Sequence, residues 1–169
     1  PIFTERGHHL RIIAPLERMG AHLASADGRP PLTIDGMARL MAIDFEPEVP
    51  SAQVKRAVLL AGLHAEGTTR VREPLPTRDH TERMLAGFGA DIRTEVTDEG
   101  RVITLKGQPE LTPQHIDVPR DPSSAAFPVC AALIVPGSDI LVPTIGLNPT
   151  RAGLFQTLRD MGADLTYED

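Results

Sequence analysis

Two observations predict an α/β fold, α+β in class, built from a repeated βαβαββ unit. A helix–glycine–strand phrase recurs three times, and hairpin signals follow it at matching places. The phrase reads Leu16-Glu17-Arg18-Met19-Gly20-Ala21-His22-Leu23, then Leu85-Ala86-Gly87-Phe88-Gly89-Ala90-Asp91-Ile92, then Leu158-Arg159-Asp160-Met161-Gly162-Ala163-Asp164-Leu165. Glycine there supplies the left-handed backbone that closes a helix, and the alternation after it starts an extended segment. The interval of about 70 residues is too long for the common solenoid repeats and long enough for a helix pair to be buried against its own sheet.

The elements follow in order. The first helix ends at Gly20, and strands over 21–24 and 32–34 form a hairpin about Asp27-Gly28. After an extended stretch over 45–50, Ser51 caps an apolar helix that runs through Ala57 to Leu63. Gly67 then turns the chain into a Thr/Val strand. Asp79 with Glu82 three residues on has capping-box spacing and opens the helix that closes at Gly89. Asp98-Glu99-Gly100 joins strands over 91–96 and 102–105. Pro109, Pro113, Pro119 and Pro122 break any period over 107–121, although 114–118 is strand-like. Asp121-Pro122 and Asn148-Pro149 each place a cap and then proline at a first helical position. An apolar helix with Gly137 and a strand to Leu141 repeats the pattern of residues 57–71, and a last strand follows Gly162. A domain seam is expected near Val118-Pro119, with 1–117 belonging to one domain as about one and a half units. Residues 118–169 then begin a second domain.

Composition narrows the function. The 169 residues include 17 Lys+Arg and 23 Asp+Glu, for a formal charge of −6, which opposes a nucleic-acid-binding surface. There is no Trp and one Tyr, so stacking platforms for single strands are nearly absent. Cys130 stands alone inside an apolar run, which leaves neither a disulfide framework nor a cysteine metal cluster. Apolar runs fall well short of the roughly 20 residues of a membrane helix. A cytoplasmic setting and a monomeric parent are expected, and a start at Pro1 with an end just after a strand suggests a piece of a longer protein.

Two helix starts are candidate anion sites. At Ser51-Ala52-Gln53 the free N–H groups of a first helical turn attract phosphate or carboxylate, and Gln53 adds an amide that both donates and accepts. The simpler alternative is a cap followed by a surface glutamine. At Thr77-Arg78-Asp79-His80, the Arg78 guanidinium can grip a phosphate bidentately, or else pair with Asp79 or Glu82 as ordinary surface charge. His80 beside carboxylates is more often a structural hydrogen bonder than a titrating group. Because the units repeat, equivalent helix starts gather on one side, so Ser51, Gln53 and Arg78 can share a pocket. His8-His9, with Arg6 and Arg11, forms a basic cluster, but adjacent histidines point to different faces and rarely chelate a metal. P-loop, dinucleotide and nucleophile-elbow motifs are absent.

At Ser51-Ala52-Gln53-Val54-Lys55, Glu73-Pro74 and Thr77-Arg78-Asp79-His80-Thr81-Glu82 the chain resembles the 5-enolpyruvylshikimate-3-phosphate synthase family. Asp121-Pro122-Ser123-Ser124-Ala125-Ala126-Phe127, Pro136-Gly137-Ser138 and Asn148-Pro149-Thr150-Arg151 extend the likeness over almost the whole chain. It is most similar to the bacterial subgroup that includes glyphosate-tolerant members. The resemblance implies two domains of three βαβαββ units each, helices inside and sheet outside, forming a two-domain inside-out α/β barrel that closes over its substrates. It implies transfer of the enolpyruvyl group of phosphoenolpyruvate to the 5-hydroxyl of shikimate 3-phosphate, with phosphate released and no cofactor or metal required.

By the family's pattern Ser51, the Ala52 backbone, Gln53 and Arg78 contact shikimate 3-phosphate, and Gln53 also faces phosphoenolpyruvate. The family's Arg-Pro dipeptide, whose arginine grips phosphoenolpyruvate, is replaced by Thr4-Glu5-Arg6-Gly7-His8-His9, which lacks the proline and is one residue longer. Arg6 is the candidate there. The family's Lys-Ser segment, its proton-transfer Asp and Lys/Glu groups and its C-terminal Arg and Lys clamps fall outside these residues. No catalytic residue is therefore assigned, and the 169-residue piece is expected to be inactive alone. Two rivals are the sister transferase acting on UDP-N-acetylglucosamine, which the Ser-Ala-Gln and Thr-Arg-Asp-His pair opposes, and a non-catalytic or RNA-processing module sharing the βαβαβ unit, which charge and scarce aromatics oppose.

Overall fold

A computed structural model describes residues 10–26, 29–36 and 39–168. The chain divides into two compact units, one reaching to Gln114 and one beginning at His115.

The first unit opens with α1 (Leu10–Arg18) and a hairpin of β1 (His22–Ala26) and β2 (Arg29–Asp35), with Leu23 opposite Ile34. Short strands β3 (Leu40–Met41) and β4 (Asp44–Phe45) lead into α2 (Ala52–Gly62). Then come β5 (Ala65–Glu66), β6 (Thr68–Glu73), α3 (His80–Gly87), β7 (Ile92–Thr97) and β8 (Gly100–Lys106). The four-stranded sheet has the order β4-β6-β8-β7, in which β4 is parallel to β6 and β8 is antiparallel to both β6 and β7. Read along the chain, β4-α2-β6-α3-β7-β8 is the predicted βαβαββ unit.

Periodicity explains the packing. In β6 alternate residues Thr69, Val71 and Glu73 are buried, and Arg70 and Arg72 face outward. Ile103 and Leu105 of β8, Val54, Val58 and Leu59 of α2 and Leu85 of α3 meet Val71 in one core with Met19, Phe45, Ala65 and Ala90. Val58, Leu59, Val71, Ile103 and Leu105 are completely buried; each contributes about 1.5–3 kcal/mol from the burial of its side chain. Both helices therefore cover one face of the sheet. On the other face Arg72 donates to both carboxylate oxygens of Asp44, at 3.0 and 2.7 Å, tying β4 to β6. That bond, ahead of the charge of Arg72 itself, holds the Asp44 carboxyl below its usual range.

The second unit contains α4 (Pro122–Ile134) and α5 (Gly153–Asp160), packed through Ala125, Val129 and Phe155. Val142, Ile145, Leu158 and Leu165 lean on that core. The three recurring glycines hold the expected left-handed backbone, with φ of 94° at Gly20, 87° at Gly89 and 95° at Gly162.

Several expectations need correction. Residues 114–118, the stretch from Gly137 to Leu141 and the segment after Gly162 form no strands. Extended backbone becomes a strand only beside a partner, and among the described residues the second unit offers a single parallel bridge, Arg120 to Ile145. Asn148-Pro149 does not start α5. The Asn148 carbonyl accepts from Arg151 and Ala152 in a turn, at 2.7 and 3.0 Å, and the helix begins at Gly153. Asp79 and Glu82 form no capping box, because Asp79 accepts from Arg83 at 2.8 Å and Glu82 turns to Lys55. The Asp27-Gly28 turn lies outside the described residues. Among the described residues no helix is long and apolar enough to cross a membrane.

Candidate functional site

The start of α2 is built as its sequence predicts. Ser51 is extended, with φ −150° and ψ 108°, and its Oγ accepts from the Val54 N–H at 3.4 Å. That leaves the Ala52 and Gln53 amides, at the first two helical positions, with no acceptor inside the helix. Gln53 is exposed and Ser51 half-buried.

Two cross-links bring the first turn of α3 to this place. Lys55 forms an ion pair with Glu82 at 2.6 Å and donates to Glu73 at 2.9 Å. Arg56 donates through Nε to Thr81 Oγ1 at 3.2 Å. Thr77, the residue before Arg78, donates to the second oxygen of Glu73. Arg78 thus sits on a short loop whose two ends are tied, through Glu73 and Glu82, to Lys55 of α2. Its side chain is exposed, and both nearby acids are taken, Asp79 by Arg83 and Glu82 by Lys55. Among the described residues no ion pair engages Arg78, so the surface-pair alternative for it is not what forms. His80 is an exposed residue in the first turn of α3. Arg6 and His8-His9 lie outside the described residues.

A groove of about 410 Å³ lies between α1 and the segment entering α2, lined by Arg11, Arg18, Phe45, Glu46, Glu48 and Val54 among others. Arg18 stacks over the Phe45 ring with its guanidinium carbon 5.7 Å from the centroid. Ser51, Gln53 and Arg78 do not line this groove.

The second unit repeats the arrangement with different chemistry. One repeat interval after Ser51 stands Asp121, which caps α4 by accepting from the Ser124 N–H at 2.9 Å and Oγ at 3.0 Å. At a similar interval after Arg78 stands Arg151, which donates to Asp121 at 2.7 Å and to Ser123 Oγ at 2.5 Å. The Ser124 hydroxyl first, then the Ser124 and Ser123 amides and Arg151, hold the Asp121 carboxyl below its usual range. Here an arginine ahead of one helix reaches the start of another and closes on a carboxylate. Where the second unit has this acid, the first has Ser51, which carries no charge.

The residues that sequence reasoning missed are Lys55, Glu73 and Glu82. A signal was present: Lys55 falls on the apolar stripe of α2 with Val54, Val58 and Leu59, and Glu73 falls on the inward alternation of β6 with Thr69 and Val71. A charge on a buried stripe calls for a partner of opposite sign.

Comparison with known proteins shows the family. Residues 10–169 match the family model described as EPSP synthase (3-phosphoshikimate 1-carboxyvinyltransferase). The chain is 68% identical over 160 residues to the 3-phosphoshikimate 1-carboxyvinyltransferases of Jannaschia sp. (strain CCS1) and of Roseobacter denitrificans, covering 94% of this chain and 36% of each relative. It is similar to the solved structure of EPSP synthase from Acinetobacter baumannii, with a TM-score of 0.81 and 48% identity over 94% of this chain and 35% of that one. The chain therefore spans about a third of the length of the relatives it matches. From helix starts to repeat architecture, this chain belongs to the EPSP synthase family.

Proposed function

We propose that this chain carries part of the surface on which an EPSP synthase binds shikimate 3-phosphate, and that the complete protein transfers the enolpyruvyl group of phosphoenolpyruvate to the 5-hydroxyl of that substrate. In this reading Ser51, the Ala52 amide, Gln53 and Arg78 bind the phosphorylated acceptor, Gln53 also faces phosphoenolpyruvate, and Arg6 grips the latter. Residues 1–117 belong to one domain and 118–169 open a second. The complete protein is a cytoplasmic monomer that needs no cofactor or metal and binds neither nucleic acid nor membrane.

One observation carries the reading. The Arg151–Asp121 pair supplies a worked example, within the same chain, of how an arginine and a helix start grip an anion. In the first unit no acid among the described residues pairs with the equivalent Arg78, and the uncharged Ser51 leaves the charge to be supplied from outside. A phosphate monoester meets the need, since helix-start amides and a guanidinium fork both favour it.

These residues bind and orient. Addition to an enol carbon also demands a general acid, a general base and cationic stabilisation, which belong to the remainder of the protein. The 169-residue chain alone releases no phosphate from the two substrates, and turnover by it would refute the division of labour. In the complete protein Arg78→Ala raises the KM for shikimate 3-phosphate by about ten- to a hundredfold, in line with the loss of a charge-assisted bidentate contact. An unchanged KM would remove Arg78 from the site. Thermal shifts with shikimate 3-phosphate and with UDP-N-acetylglucosamine test the acceptor, and stabilisation by the sugar nucleotide alone would overturn the assignment.

A further inference from the structure

We propose that Lys55 and Glu82 are positioning residues, which set the separation between the two helix starts that bind the phosphorylated substrate without touching that substrate themselves. The inference rests on the substrate reading above and goes beyond it to residues that the reading does not use.

The argument begins with burial. Lys55 retains 1% of its side-chain exposure, Glu73 2% and Glu82 9%. Three ionisable side chains are thus withdrawn from water at one point, where desolvation is costly unless the geometry is good. A well-packed apolar trio would hold the core at least as firmly, so stability alone is a weak reason for the cluster. Its location suggests another.

Lys55 lies one turn into α2, directly after the Ser51 cap and the Gln53 amide. Glu82 lies in the first turn of α3, four residues after Arg78. Glu73 ends β6 and divides its two oxygens, one taking Lys55 and the other Thr77, which adjoins Arg78. A continuous chain of side-chain bonds therefore runs from the first turn of α2 through Glu73 to the residue before Arg78. A second runs through Glu82 to the turn after it. Hydrogen-bonded ion pairs are directional and short, whereas apolar side chains tolerate sliding. Such a hub sets the distance between two helix starts more tightly than packing does. The remaining Glu82 oxygen is buried and has no hydrogen-bond partner among the described residues, so the carboxylate spends its bonding on Lys55.

The test uses the complete protein, assayed with shikimate 3-phosphate and phosphoenolpyruvate. Glu82→Leu removes the Lys55 link between α2 and α3, leaving the Arg56–Thr81 bond in place and Lys55 and Glu73 as a balanced pair. It raises the KM for shikimate 3-phosphate about tenfold with kcat within twofold, because loosened geometry weakens binding before chemistry. Glu82→Gln, which can still accept from Lys55, recovers most of the loss. Ile103→Val, a core change in β8, lowers the melting temperature and leaves both constants in place. Should Glu82→Leu fail to fold, Thr77→Val cuts the Glu73 route at a half-buried site and raises the same KM. A KM unmoved by Glu82→Leu, or by Thr77→Val in its stead, while Arg78→Ala raises it, overturns the positioning role and leaves the substrate reading standing. A KM unmoved by Arg78→Ala as well overturns both.

Discussion

Replacing Lys55 by Met isolates the energetics of the buried cluster. The two residues have similar length and nearly equal helix propensity, so α2 itself should be indifferent to the change. What remains is a pair of buried carboxylates, Glu73 and Glu82, with no cation between them. Removing one partner from a buried ion pair costs about 3–5 kcal/mol, and two stranded acids place Lys55→Met toward the upper end. Converting all three to apolar residues, as Lys55→Met/Glu73→Met/Glu82→Leu, should recover most of that loss, because the desolvation penalty disappears along with the attraction. Fluorescence is a poor reporter, since the chain has no Trp and its one Tyr, Tyr167, lies in the second unit. Amide hydrogen exchange at Val58 and Ile103, completely buried in the first unit, reads the right region. A loss below about 1 kcal/mol for Lys55→Met would refute the claim that the cluster is desolvated.

Three further outcomes follow from the same geometry. Ser51→Ala costs about 0.5 kcal/mol in hydrogen-exchange stability of α2, the low end for a lost cap, because the Ser51 bond at 3.4 Å is long. Asp44, whose carboxyl is held low by Arg72, titrates in a carbon-detected NMR experiment below the roughly 3.9 of a free aspartate, and Arg72→Ala moves it back up. Since the folded value lies below the unfolded one, the Asp44 contribution is complete above the unfolded value and is lost as pH falls through the folded one. Acid unfolding of wild type should therefore show a stability decline in that window which Arg72→Ala lacks. Asp121→Ser gives α4 the uncharged cap that α2 has and frees Arg151; inorganic phosphate should then shift the Ser123 and Ser124 amide resonances, where it leaves wild type unchanged. Equal responses in both proteins would break the analogy between Arg151 and Arg78.

Local chemistry was legible wherever it is settled within a few residues. The glycines closing three helices, the Asp98-Glu99-Gly100 hairpin and the caps at Ser51 and Asp121 all depend on neighbours along the chain, and each formed as read. The capping box at Asp79 did not form, because Lys55 and Arg83 compete for the two acids more strongly than the helix amides do. The extended stretch after Gly162 has the same local pattern as its counterparts after Gly20 and Gly89, but among the described residues no neighbouring strand completes its hydrogen bonds. Lys55 was passed over because a lysine reads as surface until its partners, eighteen residues on in β6 and further along in α3, are brought beside it.

The sequence by itself determined the βαβαββ unit of the first half, the helix starts at Ser51 and Asp121 and the family to which they point, since periodicity, turn chemistry and caps act over a single turn or a single strand. Only the tertiary structure decided which charges are spoken for. Asp121 pairs with Arg151 and Glu82 with Lys55, while Arg78 has no ion-pair partner among the described residues, because pairing depends on distance through space, and that distance is set by tertiary packing.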